Sequence, residues 1–316
     1  MRHLSNQRTS QWILLFLLIL FAVLFFWGGP DYYSPRSFKN IWNLGHIVFY
    51  TLLFLYLLQF WLWYSSLSFY RQVGWGLVLT LFTGIGIELI QIQFSRLPEF
   101  GDIWRNILGC MLALIFFSRS TRSFGSKHLK IPKLLIIFFV LLEFSYPVIS
   151  IIDEMIARKQ FPLLSGFETP FEMDRWEAGD RLQRSHLYSL EGKYSAQILL
   201  DTDRYSGVAL IYFPHNWQNY KTLHFSVYNP DNQPLSVTCR IHDWEHIVNG
   251  QQFSDRFNKR FILNPGWNEI IIPMGEIQNA PQGRLMNLKQ IYNFGFFASN
   301  LKMARTVYLD DVRLEY

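Results

Sequence analysis

Residues 12–27 read WILLFLLILFAVLFFW, sixteen apolar residues without one polar side chain. A helix of this length rises about 24 Å, close to the hydrocarbon thickness of a bilayer. Arg2 and Arg8 precede the run. Gly28-Gly29-Pro30-Asp31 follows it and lacks the small-x-small cleavage site of a signal peptide. We therefore interpret this stretch as a retained first membrane helix.

Four further apolar runs follow before residue 160, at residues 44–63, 73–92, 103–117 and 134–152. The run at 103–117 is short for a membrane span and could begin in the interface. Together the five runs predict an α-helical transmembrane bundle of about five helices over residues 1–157.

Charge divides the chain into two parts. Up to Lys159 there are 14 Lys and Arg against 7 Asp and Glu, whereas the remainder has 15 against 17. The basic excess therefore belongs to the membrane segments, where it sets orientation. The remainder has no basic face suited to nucleic acid, so we exclude that class of partner.

The loop charges favour a cytoplasmic N-terminus. In that orientation the inner segments carry eight basic residues and the outer loops carry four, at Arg36, Lys39, Arg96 and Arg105. Five spans then place everything after residue 152 outside. We expect a cytoplasmic (inner) membrane protein, in contact with membrane lipid, whose C-terminal domain is periplasmic or otherwise extracytoplasmic.

Beyond a linker at residues 158–165, the apolar pattern changes from helical to alternating. Turn signals such as Asn229-Pro230-Asp231 and Asn264-Pro265-Gly266 separate the candidate strands. Short alternating strands at this spacing predict an all-β antiparallel sandwich or jelly roll over residues 166–316. The candidate strands cover residues 195–200, 208–213, 222–228, 236–242, 258–263, 267–272, 292–298 and 306–314. Cys110 and Cys239 fall in different halves, and we expect no disulfide between them.

Seven polar residues of the membrane half lie at one predicted depth, near the outer leaflet: His46, Tyr50, Glu88, Gln91, Arg96, Asp102 and Asn106. Ionisable groups in hydrocarbon are costly enough to indicate a functional site. Structural roles stay open, since Asp102 could cap a helix and Glu88 could pair with Arg96 or Arg105. For Glu143, beside Pro147, we expect local packing or an interface role.

These polar residues resemble the signature of the VanZ-like membrane proteins over residues 10–120. The matching elements are the glycine-containing run from Gly84 to Gln91, then Arg96, Asp102, Asn106 and Gly109, with an upstream His46-x-x-x-Tyr50. The Asp-Lys pair that often precedes that histidine reads Trp42-Asn43 here. The resemblance implies a role in the cell envelope without naming a reaction.

The C-terminal half resembles the jelly-roll carbohydrate-binding modules of the galactose-binding-like group. The resemblance covers about residues 165–316 and is carried by four short segments, at residues 166–168, 223–229, 264–268 and 308–312. It implies a glycan-binding fold, although such sandwiches also serve as spacers or protein contacts. In those modules, the region of Glu168 and Asp310 often holds a structural Ca²⁺, which carboxylate oxygens suit.

A sugar site requires flat aromatic faces beside hydrogen-bonding groups. His242, Trp244 and His246 alternate and would share one side of an extended strand. Trp217, Tyr292 and Arg284 could extend that surface, although the aromatics could instead fill the core, as we expect for Trp267. A metal site at His242 and His246 lacks an identifiable third ligand.

No soluble-enzyme signature is present: the sequence has no Gly-x-Ser-x-Gly elbow, phosphate loop or dinucleotide fingerprint. Three hypotheses therefore stand. The outer domain could bind or present an envelope glycan or lipid-linked glycan. An intramembrane enzyme could act on a lipid head group, with Glu88 or His46 as acid or base and Arg96 on an anionic group. A structural scaffold could use the sandwich for protein contacts.

Overall fold

A computed structural model describes residues 2–92, 100–123 and 126–316, with side chains omitted for a few residues beside the gaps. The chain forms two compact units, Met1–Ser150 and Ile151–Tyr316, which we call the helical unit and the β unit. The predicted fold class is confirmed: apolar helices come first and an antiparallel β-sandwich follows.

The helical unit is built from the apolar runs. Its helices are α1 (Arg2–Leu24), α2 (Arg36–Phe60), α3 (Leu62–Ser66), α4 (Phe69–Ile92), α5 (Phe100–Phe117) and α6 (Ser126–Gln160), the last of which continues into the β unit. Helices α2 and α5 pack closely because Gly109 has no side chain. A Cβ at Gly109 would lie 2.5 Å from the carbonyl oxygen of Ile47. The five predicted apolar runs correspond to α1, to α2 with α3, and to α4, α5 and α6. The first run continues past the end of α1 at Leu24.

Three helical segments in the described part of the chain are long and apolar enough to cross a membrane: Arg36–Phe60, Phe69–Ile90 and His128–Gln160. The segment Arg8–Leu24 is apolar but shorter. Helix α5 has 18 residues and opens with a charged turn that includes Asp102. Membrane association therefore follows from helix length and composition, while the five crossings and their orientation stay predictions.

The β unit contains eleven strands in the described chain. They are β1 (Leu163–Ser165), β2 (Trp176–Glu177), β3 (Leu182–Ser185), β4 (Ser195–Leu200), β5 (Tyr205–Leu210), β6 (Thr222–Asn229), β7 (Leu235–Asp243), β8 (Phe257–Leu263), β9 (Gly266–Pro273), β10 (Ile291–Ser299) and β11 (Arg305–Glu315). Two short helices, α7 (Trp244–Val248) and α8 (Met274–Gln278), join strands.

Two antiparallel sheets enclose the core of the β unit. The six-stranded sheet has the order β3-β4-β11-β6-β9, with β1 beside β11, and the five-stranded sheet has the order β2-β5-β10-β7-β8. Strand alternation explains the packing. In β6, Leu223, Phe225 and Val227 are buried against the partner sheet, while Tyr228 faces outward and packs on Trp267. The prediction that Trp267 belongs to the core was therefore wrong.

All eight predicted strands are present; β4 has the predicted ends, and the ends of the other seven are shifted. The short strands β1, β2 and β3 were missed, because two to four residues carry too little alternation to be recognised. The predicted linker at residues 158–165 also differs, since it contains the last turn of α6 and strand β1, which pairs with β11.

The division between units falls earlier than residue 157 because the end of α6 is tied into the β unit. Arg175 donates two hydrogen bonds of 2.7 and 3.0 Å to the Asp153 carboxylate, and both side chains are buried. A buried ion pair of this kind holds its two segments together, because separating the charges would leave each uncompensated.

Candidate functional site

An open groove of about 810 Å³ lies on the outer face of the five-stranded sheet. Its floor is built by alternation in the paired strands. One row across β5, β10, β7 and β8 consists of Gly207, Phe297, Thr238 and Arg260. The next row, beginning at Glu177 of β2, continues through Ala209, Gly295, Arg240 and Asn258. Five chain segments therefore contribute to one surface.

Small residues keep the middle of the groove open. A Cβ at Gly207 would lie 2.2 Å from the carbonyl oxygen of Phe296, so no larger residue fits there. Gly295 leaves room for the Arg240 side chain, whose Nε lies 3.4 Å from the position that a Cβ would occupy. Glycine in a strand interior often marks a site where another group approaches the backbone closely.

Two exposed aromatic rings line the groove, Tyr205 at the start of β5 and Phe253 in the segment before β8. Tyr205 is 59% exposed, and its ring packs edge-on to Phe297, with centroids 5.9 Å apart. Phe253 is 71% exposed and also lines the groove. Exposed aromatic faces beside hydroxyl and amide groups such as Thr238 and Asn258 suit a ligand with both apolar faces and hydrogen-bonding groups.

Arginines line the side next to β7 and β8. Arg240 donates a hydrogen bond to Asn293 Oδ1 at 3.2 Å, and the guanidinium of Arg256 lies 5.3 Å from the Phe253 ring centroid. Burial lowers the pKa of Arg256, and the positive charge of Arg240 lowers it further. The two guanidinium groups are therefore close enough to repel each other.

The predicted sugar surface at His242, Trp244 and His246 does not form as an extended strand. β7 ends at Asp243, whose carboxylate accepts the backbone N–H of His246 at 3.1 Å and so caps helix α7. The two imidazoles instead lie beside each other, with ring centroids 4.7 Å apart, and both are buried. The strand prediction was wrong here because a local cap overrides the alternation.

His242 nevertheless lies on the strand face that carries Arg240. Burial, together with the charges of His246, Arg240 and Arg256, lowers the pKa of His242 to about 3. Its Nδ1 is buried without a hydrogen-bond partner in the described chain. His242 is therefore a neutral side chain beside the arginines of the groove.

The remaining predicted sugar contacts have different environments. Trp217 is fully buried in the sandwich core, where its indole N–H donates to the carbonyl oxygen of Pro214. Tyr292 stacks on His215 with ring centroids 4.4 Å apart and packs against Trp244 at 5.2 Å, forming a separate, half-buried aromatic cluster. Trp217 thus has no surface for a sugar, whereas Trp244 and Tyr292 do come together.

Arg284 holds two loop segments together. Its guanidinium donates to both Asp243 oxygens at 2.7 and 2.8 Å and to Asp255 at 2.5 Å. These hydrogen bonds raise the pKa of Arg284. At Asp243, burial alone would raise the pKa of the carboxyl group, but the hydrogen bonds that it accepts, first among them those from Arg284, lower this pKa below its usual value. Because both carboxylates occupy its donors, Arg284 acts as a clamp behind α7.

Glu168 and Asp310 approach the same loop, but backbone amides occupy their oxygens. Glu168 Oε1 accepts from the N–H groups of Lys193 and Tyr194, and Asp310 Oδ2 accepts from those of Leu190 and Glu191. Burial raises the pKa of Asp310 to about 6. In the described chain no group of three His, Cys, Asp or Glu side chains is arranged to hold a metal ion. These contacts do not call for a cation, and structural Ca²⁺ stays a prediction.

In the helical unit, three of the predicted site residues meet at one point. His46 Nδ1 lies 2.8 Å from Asn106 Oδ1, and its Nε2 lies 3.4 Å from Asp102 Oδ2. All three side chains are buried. Tyr50, one turn further along α2, is hydrogen-bonded to Thr83 at 2.9 Å. The spacing of the motif therefore reflects real proximity between α2 and α5.

Sequence reasoning missed two members of this cluster. Arg105 donates to Asp102 at 2.7 Å and to Glu143 of α6 at 2.9 Å, so it joins two helices. The local packing or interface role expected for Glu143 agrees with this contact between α5 and α6, although its partner Arg105 was not foreseen. The available signal was a carboxylate in an apolar helix, which itself indicates a charged partner. Glu88 is buried, the Gln91 side chain is not described, and Arg96 lies outside the described residues.

Comparisons with known proteins concern the β unit. A family 11 carbohydrate-binding module from Clostridium thermocellum, solved with a β-1,3-1,4-mixed-linked tetrasaccharide, is 15% identical with a TM-score of 0.37. That match covers 48% of this chain and 94% of the module. A carbohydrate-binding module specific for non-crystalline cellulose is 13% identical, with a TM-score of 0.35 and coverage of 49% and 93%. An exo-β-agarase is 12% identical, with a TM-score of 0.39 and coverage of 48% and 24%.

No family model matches the chain, and no curated protein matches it. The VanZ-like resemblance of residues 10–120 therefore rests on its motif residues alone. The fold of the C-terminal half is similar to that of carbohydrate-binding modules.

Proposed function

We propose that the β unit binds a glycan in the groove of its five-stranded sheet, while the helical unit anchors the chain in a membrane. The observation that carries this proposal is the groove itself. It has a floor that includes small residues, with the exposed ring of Tyr205 and the half-buried ring of Phe297 beside the hydrogen-bonding groups of Thr238 and Asn258. Sugars combine apolar C–H faces with hydroxyl groups, which such a surface complements.

A binding measurement on the full chain in detergent micelles tests this proposal. The immobilised probes are mixed-linked β-glucan, galactan and polygalacturonate. Phe297→Ala should weaken binding about tenfold or more, since burying an aromatic ring contributes about 1.5–3 kcal/mol. Tyr316→Ala is the matched control, because this tyrosine is 75% exposed and does not line the groove. Unchanged affinity in Phe297→Ala, or no binding to any glycan, would contradict the proposal.

The wider proposal is a VanZ-like protein of the cell envelope with its β unit on the outer, periplasmic side and an envelope glycan or lipid-linked glycan as partner. Its support is the predicted charge asymmetry of the loops and the apolar helices. A reporter fused after Tyr316 measures sidedness directly. Activity of a reporter that works only in the cytoplasm would exclude this orientation.

A second function is favoured by the buried cluster of the helical unit. His46 contacts both Asn106 and Asp102, an arrangement able to hold an imidazole in a fixed orientation for acid or base catalysis on a lipid head group. His46→Gln should then abolish the phenotype of the chain in cells while the protein still inserts and folds. A fully functional His46→Gln protein would leave the cluster a structural role only.

A further inference from the structure

The arginines of the groove lie together on one side of it. Arg240 projects from β7 and Arg260 from the neighbouring strand β8, in adjacent rows of the sheet. Arg256 stands directly before β8 and lines the same groove. Three guanidinium groups therefore face one end of a single surface.

Several other arginines of the β unit are neutralised by carboxylates. Arg175 pairs with Asp153, Arg284 with Asp243 and Asp255, and Arg305 with Asp231. Arg181, which also lines the groove, pairs with Asp201 and Asp203. Where an arginine of the β unit holds segments together, it is therefore paired with an acidic side chain.

Arg256 and Arg260 form no ion pair with any residue that the structure describes. Arg184 and Arg204 share this property but do not line the groove. The Nε of Arg256 is buried without a hydrogen-bond acceptor in the described chain. A buried donor without an acceptor costs about 1–3 kcal/mol, and more for a charged group. Repulsion from Arg240, seen in the lowered pKa of Arg256, adds to that cost.

Few acidic side chains lie in the groove. Glu177 is the single carboxylate among the described lining residues, against four arginines: Arg181, Arg240, Arg256 and Arg260. It lies on β2, in the same row as Arg240, with β5 and β10 between them. The described lining of the groove therefore carries an excess of positive charge.

We propose that the groove binds an anionic glycan, whose carboxylate, sulfate or phosphate group lies between Arg240, Arg256 and Arg260. This inference rests on the proposed glycan-binding function and adds the substrate class. An anionic oxygen of the ligand would accept a hydrogen bond from the unpartnered Nε–H of Arg256, and its negative charge would reduce the repulsion between the guanidinium groups. A guanidinium group can donate two parallel, charge-assisted hydrogen bonds to two oxygens of a carboxylate, sulfate or phosphate group.

The test compares charged and neutral forms of one polysaccharide on the full chain in detergent micelles. Polygalacturonate and its methyl ester differ in charge at the same sugar. Wild-type protein should bind polygalacturonate at least tenfold more tightly than the ester. Arg256→Gln should remove most of that difference and leave binding of the ester within twofold. Chondroitin sulfate and a phosphorylated mannan, run in parallel, identify which anionic group is preferred.

Lys289→Gln serves as the matched charge control, because Lys289 is exposed and does not line the groove. An equal loss of affinity in this variant would show non-specific attraction and overturn the inference. Equal affinity of wild-type protein for polygalacturonate and its ester would overturn the anionic class while the glycan proposal stands. Failure to bind any glycan, charged or neutral, would overturn both. Slow alkylation of the buried Cys239 in each variant verifies that the β unit is folded.

Discussion

The buried cluster of the helical unit and the groove of the β unit differ in how the charges of their arginines are compensated. In the cluster, Arg105 is held by Asp102 and Glu143, so each charge meets its partner within the bundle. In the groove, Arg256 and Arg260 have no carboxylate partner in the described chain. Self-contained pairs hold segments in place, whereas uncompensated charge at an open surface favours a ligand of opposite sign. Substitution of a paired arginine should therefore change mainly the stability of the fold. Substitution of a groove arginine should change mainly the affinity for a ligand.

The largest expected effect comes from breaking the pair between Arg175 and Asp153. Arg175→Leu would leave the buried Asp153 carboxylate uncompensated and should lower the free energy of unfolding of the β unit by about 3–5 kcal/mol. Alkylation of Cys239 in increasing denaturant measures this, since that thiol is fully buried in the sandwich core. The half-exposed pair of Arg181 and Asp201 gives the control: Arg181→Gln should cost less than about 1 kcal/mol, because water screens the two charges. Similar losses in both variants would contradict the distinction.

The next effect concerns the cluster of the helical unit. Arg105→Leu would leave Asp102 and Glu143 facing each other without a cation and should destabilise that unit by about 2–3 kcal/mol. The expected loss is below that for Arg175 because the unfolded helices in a membrane also find partners. Alkylation of the buried Cys110 in detergent reports it. As a control, Arg71→Gln, at an exposed position, should leave the rate of Cys110 alkylation unchanged. An unchanged rate in Arg105→Leu would show that the helical unit does not need the cluster for its packing.

A pH effect of intermediate size should arise from His242. Its folded pKa of about 3 lies below its unfolded value of 6.5, so the unfolded chain takes up the proton first. The stability that depends on neutral His242 is complete above pH 6.5 and falls as the pH is lowered towards 3, by roughly 2 kcal/mol at pH 5. The difference between wild type and His242→Gln, measured by Cys239 alkylation, isolates this contribution. A pH-independent difference would mean that His242 is not desolvated.

The smallest effect on stability belongs to the groove. Arg256→Gln removes a buried donor without an acceptor and a charge repelled by Arg240, but it also removes the packing of the aliphatic part of the side chain. Because these changes oppose each other, the free energy of unfolding should change by less than about 0.5 kcal/mol. Cys239 alkylation at neutral pH provides the measurement. Destabilisation comparable to that of Arg175→Leu would show that Arg256 is structural and would remove the contrast between the groove and the paired arginines.

Local pattern carried most of the secondary structure. The apolar runs became helices, and eight alternating segments became strands, because both depend on side chains within one turn or one strand of each other. Pattern failed at Trp244, where the Asp243 cap ended the strand and started α7. It also failed for the short strands β1 to β3, which exist because longer neighbours offer them hydrogen bonds.

The candidate sites divided in the same way. His46, Asp102 and Asn106 were predicted together, because helical spacing and a common depth in the bundle limit where such side chains can meet. Glu143 was not placed with them, since its contact with Arg105 joins residues 38 positions apart. The arginines of the groove were missed for the same reason.

By itself, the sequence determined that apolar helices are followed by a β-sandwich, where the eight longer strands lie, and which polar residues of the helices are costly to bury. These properties follow from composition and periodicity along a continuous segment. Only the tertiary structure decided that β2, β5, β10, β7 and β8 lie side by side and bring Glu177, Gly207, Arg240, Arg260 and Phe297 onto one surface. Strand order is set by packing of the whole core, and no local pattern encodes it.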